Sequence, residues 1–199
     1  MISPKQQYFD KRAELLVKNL KSRHFGACYC ATKEEALEKA LQLIPEGSRV
    51  GWGGAASAQE IGLLQALEDG KWEAVGRNTA GGVDVFITGA NALTMDGEMV
   101  NIDGSGNRVS SIIFGPKTVV VIAGMNKVMD SLEDAIQRAR TIAAPINMQR
   151  FGLNTPCAST GVCHDCKCEE CICNHIVITR HGRPVGRIQF VLVGEELGF

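Results

Sequence analysis

The length, composition and charge of this chain exclude several classes of protein. Its 199 residues suffice for one α/β domain with a sizeable core. With a net charge of -1 and 45% hydrophobic residues, the chain lacks the basic excess typical of proteins that bind nucleic acid or anionic membranes. No run approaches the roughly 20 apolar residues of a membrane span, and the first residues lack the apolar segment of a signal peptide, so we expect a cytoplasmic protein.

The first third of the chain predicts helices that alternate with short strands. Ser3 followed by Pro4 is typical of a helix start, and apolar residues four, three and four positions apart then share one face, so residues 1–24 are predicted as an N-terminal helix. Thr32 with Glu35 three residues later forms a capping box. A strand, a helix, a second strand and a second helix are predicted over residues 25–31, 32–44, 49–52 and 57–67.

The rest of the chain adds two apolar, β-branched runs at residues 84–88 and 118–123. They predict parallel strands buried on both faces, because the polar alternation of a half-exposed strand is missing. Asp96-Gly97 predicts a tight hairpin turn. The alternation of elements favours a three-layer α/β/α fold with a mostly parallel sheet in a single domain, 1–199. The remaining predicted elements are helices over 108–114 and 130–143 and strands over 176–179 and 187–193, around a Gly/Pro turn.

Ligands of open α/β sheets bind outside the carboxyl ends of the strands, so the loops that follow the predicted strands matter most. Gly53 and Gly54 follow the 49–52 strand and begin a helix, where free backbone N–H groups favour a carboxylate or phosphate. The loop fits only half of a dinucleotide fingerprint, because no apolar strand leads to the downstream Glu73. Ser57 and Glu60 have the spacing of a capping box.

A second glycine-rich loop, residues 103–107, leads directly into a predicted helix. Its amides predict an anion-binding nest, and Arg108 could offer a planar bidentate partner to a carboxylate or phosphate. The alternative is that Asp103 or Asn107 caps the helix while Arg108 is solvated.

Asn126 and Lys127 end the 118–123 strand and point to the same edge of the sheet as both glycine loops. We therefore expect one shared pocket for a small anionic metabolite. Its predicted ligand-binding residues are Gly53, Gly54, Ser57, Asn101, Asp103, Gly104, Gly106, Asn107, Arg108, Asn126 and Lys127.

A cysteine-rich segment, residues 154–175, is predicted to lie outside the sheet. Two C-x-x-C pairs place thiolates on tight turns, as zinc or an iron–sulfur cluster requires. A metal-free thiol cluster or disulfides are the alternatives, and Cys28 and Cys30 are expected to be core residues. The six cysteines of the segment are Cys157, Cys163, Cys166, Cys168, Cys171 and Cys173.

Several long motifs in order carry a family resemblance over residues 31–199. NALTMDGEMVNIDGSGNRV with the following GPK turn, VGWGGAASAQEIGL, TPCASTGVC and VLVGEELGF resemble the lactate-utilisation (LUD) domain, the LutC/YkgG-like group. Ala55 stands where that pattern has Ser. The resemblance implies the fold of the ribose-5-phosphate isomerase, glucosamine-phosphate deaminase and CoA-transferase group, which makes Glu60 and Glu98 weak catalytic candidates. It also implies metal ligation by Cys157, Cys163, Cys166 and Cys173, with Cys168 and Cys171 as extras.

The resemblance implies an accessory protein or subunit in the oxidation of L-lactate to pyruvate, beside iron–sulfur and oxidoreductase partner subunits. The residues themselves show no haem motif and no nucleophile–base pair, so binding of a small anion is the more conservative mechanism. One alternative is an isomerase- or transferase-type enzyme that acts on a sugar phosphate or acyl-CoA with a carboxylate. Another is a metal-dependent interaction module. The first helix is expected to pack against the domain or against a second copy of it, so a homo-oligomer is also an expectation.

Overall fold

The computed structural model describes residues 3–77, 79 and 82–199. A six-stranded sheet runs through this part of the chain in the order β1-β10-β7-β4-β2-β3, and all neighbouring strands are parallel. The mostly parallel α/β sheet predicted from the sequence is therefore confirmed. Its strands are β1 (Gly26–Cys30), β2 (Arg49–Gly53), β3 (Glu73–Gly76), β4 (Val85–Gly89), β7 (Thr118–Gly124) and β10 (Ile188–Val193).

Both faces of this sheet are covered, because alternate residues of each strand enter different apolar cores. One core joins Val119 and Val121 to the apolar side of α1 (Pro4–Ser22). The other joins Val120 and Ile122 to the helices of the opposite face, which are α2 (Lys33–Gln42), α3 (Ala56–Glu60) and α4 (Leu63–Glu68). Helix α1 buries the four apolar residues that the sequence spacing predicts, Phe9, Ala13, Leu16 and Leu20.

The predicted helix over residues 57–67 is divided in two. Gly62 adopts a left-handed conformation, with φ of 80°, between α3 and α4. A left-handed residue interrupts the regular backbone of a right-handed helix, and glycine takes that conformation without steric cost. Helix α3 is therefore a single short turn beside the glycine loop.

A second, four-stranded sheet packs beside the first in the order β8-β5-β6-β9. Strands β5 (Ala92–Thr94) and β6 (Met99–Asp103) form the predicted hairpin around Asp96-Gly97. Strand β9 (His175–Thr179) pairs with β6, so the two strands predicted around the Gly/Pro turn belong to different sheets. The remaining edge strand is β8 (Val128–Met129).

The helices beyond the first sheet position the loops of the site. Helix α5 (Asn107–Ile113) follows β6, and α6 (Leu132–Arg138) follows β8. A π-helical turn, Ala139–Ala143, joins α6 to α7 (Ala144–Phe151), so the predicted 130–143 helix extends eight residues further. Helix α8 (Pro156–Thr160) then begins the cysteine-rich segment. None of the helices in the described part of the chain is long and apolar enough to cross a bilayer.

Candidate functional site

A cleft of about 300 Å³ opens where β2, β4 and β6 end. This volume lies at the lower end of the range for small-molecule sites, about 300–1,000 Å³. Of the residues predicted for a shared pocket, seven line the cleft: Gly53, Gly54, Asp103, Gly104, Asn107, Arg108 and Lys127. Four others do not belong to its lining: Ser57, Asn101, Gly106 and Asn126.

The lining of this cleft carries more positive than negative charge. Arg77, Arg108, Lys127 and Arg150 contribute to it, whereas Asp103 is the one acidic residue among the described lining residues. Clefts lined by one sign of charge concentrate ligands of the opposite sign. The cleft therefore favours an anion.

Asp103 is fully engaged with the backbone of the second glycine-rich loop. Its carboxylate accepts hydrogen bonds from the amides of Gly106 (2.9 Å), Arg108 (3.1 Å) and Val109 (3.1 Å). The first residues of α5 thus receive their cap from Asp103, while Gly106 at the cap position has no side chain to offer. The amides predicted to form a nest for an external anion are occupied by the protein's own carboxylate, as in the alternative that Asp103 caps the helix.

Arg108 is deeply buried rather than solvated, and most of its donors are occupied. Its Nη1 donates to Gly89 O (3.3 Å) and Asn101 Oδ1 (3.0 Å). Its Nη2 donates to Asn91 Oδ1 (2.8 Å) and Ile102 O (2.7 Å). Four of the five N–H donors of a guanidinium are therefore taken, and the bidentate face predicted for a ligand is not free. Burial lowers the pKa of Arg108, and the Asp103 carboxylate partly opposes that shift.

Lys127 lines the cleft and lies just beyond the end of β7. Its side chain is 3% exposed, and Nζ donates to Ser57 Oγ at 3.0 Å. Burial, followed by the nearby Arg138 guanidinium, lowers the pKa of Lys127 to about 7. Ser57 is therefore the partner of this lysine. The capping box expected of Ser57 and Glu60 does not form, because α3 begins at Ala56 and the residue at its cap position, Ala55, offers no side-chain hydrogen bond.

The C-terminal tail, which sequence reasoning did not assign to the site, closes one side of the cleft. Leu197 is fully buried, and its amide donates to Asn126 Oδ1 at 3.2 Å. The amide of Gly198 donates to Glu60 Oε2 at 2.8 Å. Phe199 lines the cleft, with the Arg150 guanidinium 5.6 Å from its ring. The sequence signal for a packed tail is the apolar Leu197, which follows polar residues near the end of the chain.

The two weak catalytic candidates are engaged elsewhere. Glu60 holds the tail amide of Gly198. Glu98 lies on the hairpin of the second sheet and pairs with Arg180 (3.3 Å) and Arg23 (3.7 Å). Glu98 does not line the cleft.

The cysteine-rich segment surrounds a second cavity of about 270 Å³, and most residues that line it do not line the cleft. All its cysteines are free thiols, and Cys168 Sγ lies 3.5 Å from Cys166 Sγ. Burial and the nearby Cys171 raise the pKa of Cys173 to about 12. Within the described residues, no three His, Cys, Asp or Glu side chains are arranged to hold a metal. Thiols are suitable ligands for zinc or iron, but the positions of these thiols do not form a closed metal site. The cysteines that line the cavity are Cys157, Cys163, Cys166, Cys171 and Cys173.

Comparison with known proteins places this chain in a family. No curated protein is significantly similar to it. A DUF162 family protein from Deinococcus radiodurans has a similar structure, with a TM-score of 0.54 and 10% identity over 97% of this chain and 99% of that one. A D-ribose-5-phosphate isomerase in complex with phospho-erythronic acid (TM-score 0.37, 21% identity) and ribose 5 phosphate isomerase A from Neisseria gonorrhoeae (TM-score 0.35, 25% identity) each match 50% of this chain and 54% of their own. The sequence model of the LUD domain matches residues 13–193, and the chain therefore belongs to the LUD domain family, the lactate-utilisation type that its motifs resemble.

Proposed function

We propose that this protein binds a small carboxylate metabolite of lactate oxidation, L-lactate or pyruvate, in the cleft at the strand ends. It acts as an accessory protein or subunit beside iron–sulfur and oxidoreductase partners that convert L-lactate to pyruvate. One observation carries the proposal: four basic residues line the cleft, and Asp103, its one acid among the described residues, accepts hydrogen bonds from the amides of its own loop.

The cations of the cleft differ in what they can offer a ligand. Arg108 has four donors bound to the protein itself. Arg150 is exposed at the rim, where its guanidinium lies 5.5 Å from the Phe151 ring and 5.6 Å from that of Phe199. Arg77 is also exposed at the rim. Arginine matches a carboxylate with two parallel hydrogen bonds, so Arg150 and Arg77 are the residues proposed to hold it.

Titration calorimetry with L-lactate and with pyruvate tests this binding. Arg150→Ala should weaken it by about 1.5–3 kcal/mol, the range for hydrogen bonds to charged groups. Arg180→Ala is the matched control, since Arg180 is an exposed arginine that pairs with Glu98 away from the cleft. If neither acid binds, or if Arg150→Ala binds as the parent protein does, the proposal is wrong.

An isomerase- or transferase-type enzyme with a carboxylate as base or nucleophile receives less support. Asp103 and Glu60 both accept hydrogen bonds from backbone amides, and Glu98 lies outside the cleft. Within the described lining, no carboxylate is free to take that role.

We also propose that the cysteine-rich segment binds zinc or an iron–sulfur cluster, because five cysteines line one cavity. A cluster would supply one-electron transfer, whereas zinc would stabilise the segment as an interaction module. The visible spectrum and metal content of anaerobically purified protein test this, with Cys163→Ser/Cys166→Ser expected to lose the metal and keep the α/β core. Cys168→Ser/Cys171→Ser is the matched comparison. Stoichiometric metal in the first double variant would show that Cys163 and Cys166 are not the ligands.

A further inference from the structure

Lys127 combines burial with access to the cleft. Its side chain is 3% exposed yet belongs to the lining, and Nζ has one hydrogen-bond partner among the described residues, Ser57 Oγ. The tail passes close to this amine, since a Cβ at Gly198 would lie 3.1 Å from Nζ and 2.9 Å from Ser57 Oγ. An ordinary exposed lysine would extend into water instead.

The surroundings of the amine favour its neutral form. Arg138 and Arg108 repel the charged ammonium, and Glu60 is the acid that partly stabilises it. Burial adds the largest effect, so the pKa of Lys127 falls to about 7 and roughly half of the amine is neutral near that pH. Lysines that are desolvated or next to other cations are the ones that act as nucleophiles.

We propose that the ε-amino group of Lys127 forms an imine with a small 2-oxo acid whose carboxylate is held at the rim by Arg150. This inference rests on the proposed binding of lactate or pyruvate and names the substrate class that would react. The nitrogen lone pair attacks the carbonyl carbon, and the carbonyl oxygen takes up a proton to give a carbinolamine. Loss of that oxygen as water, with the protons of the amine, leaves the carbon–nitrogen double bond, and no oxidant or reductant is required.

The charges of the cleft select this substrate class. A carboxylate beside the carbonyl is attracted by Arg77 and Arg150, whereas a neutral aldehyde or ketone has no such partner. L-Lactate carries the same carboxylate with a hydroxyl in place of the carbonyl. It should therefore bind in the same place without forming a covalent bond.

Reductive trapping tests the imine. The full-length protein is incubated with pyruvate and sodium cyanoborohydride, digested, and analysed by mass spectrometry for reduced adducts on each lysine. Lys117 is the internal control, because it is exposed at the opposite end of the same strand and pairs with Asp84 at 2.9 Å. We expect Lys127 to be modified at least tenfold more than Lys117, with excess L-lactate suppressing the reaction.

Two variants separate the imine from simple binding. Lys127→Arg keeps a cation near Ser57 but is not nucleophilic at neutral pH, so it should bind pyruvate by calorimetry and give no adduct. Lys117→Met should leave the adduct at Lys127 unchanged. Calorimetric binding of pyruvate without any adduct at Lys127 overturns the imine and leaves the proposed function standing. If the parent protein binds no pyruvate or L-lactate at all, the proposed function is overturned. If modification is spread evenly over exposed lysines, the imine is overturned.

Discussion

Replacement of Arg108 by alanine should destabilise the fold, and not merely weaken ligand binding. The guanidinium donates four hydrogen bonds, to two backbone carbonyls and two asparagine side chains that join the ends of β4 and β6. Each acceptor left buried and unpaired costs about 1–3 kcal/mol. Water from the adjoining cleft can reach part of the vacated space, so we expect a net loss of about 3–5 kcal/mol, near the lower end of what four unpaired acceptors would cost. That is a large fraction of the roughly 5–15 kcal/mol that stabilises a typical protein.

Urea unfolding followed by circular dichroism measures this loss. With a slope of about 2–3 kcal/mol per molar urea, the midpoint should fall by about 1–2.5 M. Lys18→Ala, on the exposed side of α1, is the control and should leave the midpoint within experimental error. Arg150→Ala should likewise leave stability unchanged while it reduces binding. An Arg108→Ala protein that unfolds at the parent's midpoint would refute the assignment of these four hydrogen bonds.

Three further perturbations probe the cleft by the same unfolding assay. Between pH 7 and about 10 the unfolded chain keeps a proton on Lys127 that the folded protein has lost, because folding lowers the pKa from 10.5 to about 7. The parent should therefore gain stability relative to Lys127→Met as pH rises through this window, and a relative loss would contradict the shift. Gly54→Ala should lower the free energy of unfolding more than Gly47→Ala does. Both glycines have positive φ, but only at Gly54 would the new Cβ lie 2.8 Å from Arg108 Cδ, whereas at Gly47 it meets nothing within 4 Å; equal losses would remove the steric argument. Asp103→Asn should lower the free energy of unfolding by about 0.5–2 kcal/mol, because both carboxylate oxygens accept backbone N–H groups and the asparagine amide has only one oxygen. No loss would argue against the cap.

The main sheet was predictable because its strands bury both faces. The runs 84–88 and 118–123 lack polar alternation, and the structure places their residues alternately in the two apolar cores. The spacing of apolar residues in α1 likewise identified its buried side. These signals are local and repeat along the element, so a single sequence reveals them.

The second sheet was not predictable in the same way. Its strands β5 and β8 have three and two residues, too few to show a periodic pattern. Strand β9 joins it by pairing with β6, which lies about 70 residues earlier in the chain. The predicted helix over residues 130–143 stops short of Pro145, a residue without the backbone N–H that continues a helix. The chain instead enters α7 through the π-helical turn Ala139–Ala143.

For the candidate site, the sequence indicated the edge of the sheet where the cleft lies but not the hydrogen-bonding state of each polar group. Gly53, Gly54 and Lys127 meet there because they end or follow parallel strands of the main sheet. Asp103 and Arg108 come to the same cleft from β6, an antiparallel strand of the second sheet. Which donors remain free depends on contacts between distant loops, such as that of Arg108 with Asn91. The tail residue Gly198 contacts Glu60 and the surroundings of Lys127 from the far end of the chain, and no local pattern reveals such a contact.

The positive charge in and around the cleft is of two kinds. Arg108 and Arg138 are buried and donate to protein acceptors, including Asn91 O and Asn126 O in the case of Arg138. They add positive electrostatic potential to the cleft but have few donors left to contact a ligand. The same positive charge lowers the pKa of Lys127. Arg150 is exposed and remains able to hold a carboxylate at the rim. A cleft with buried cations around it, an exposed arginine at its rim and a partly neutral amine in its lining suits a ligand in which a carboxylate adjoins an electrophilic carbon.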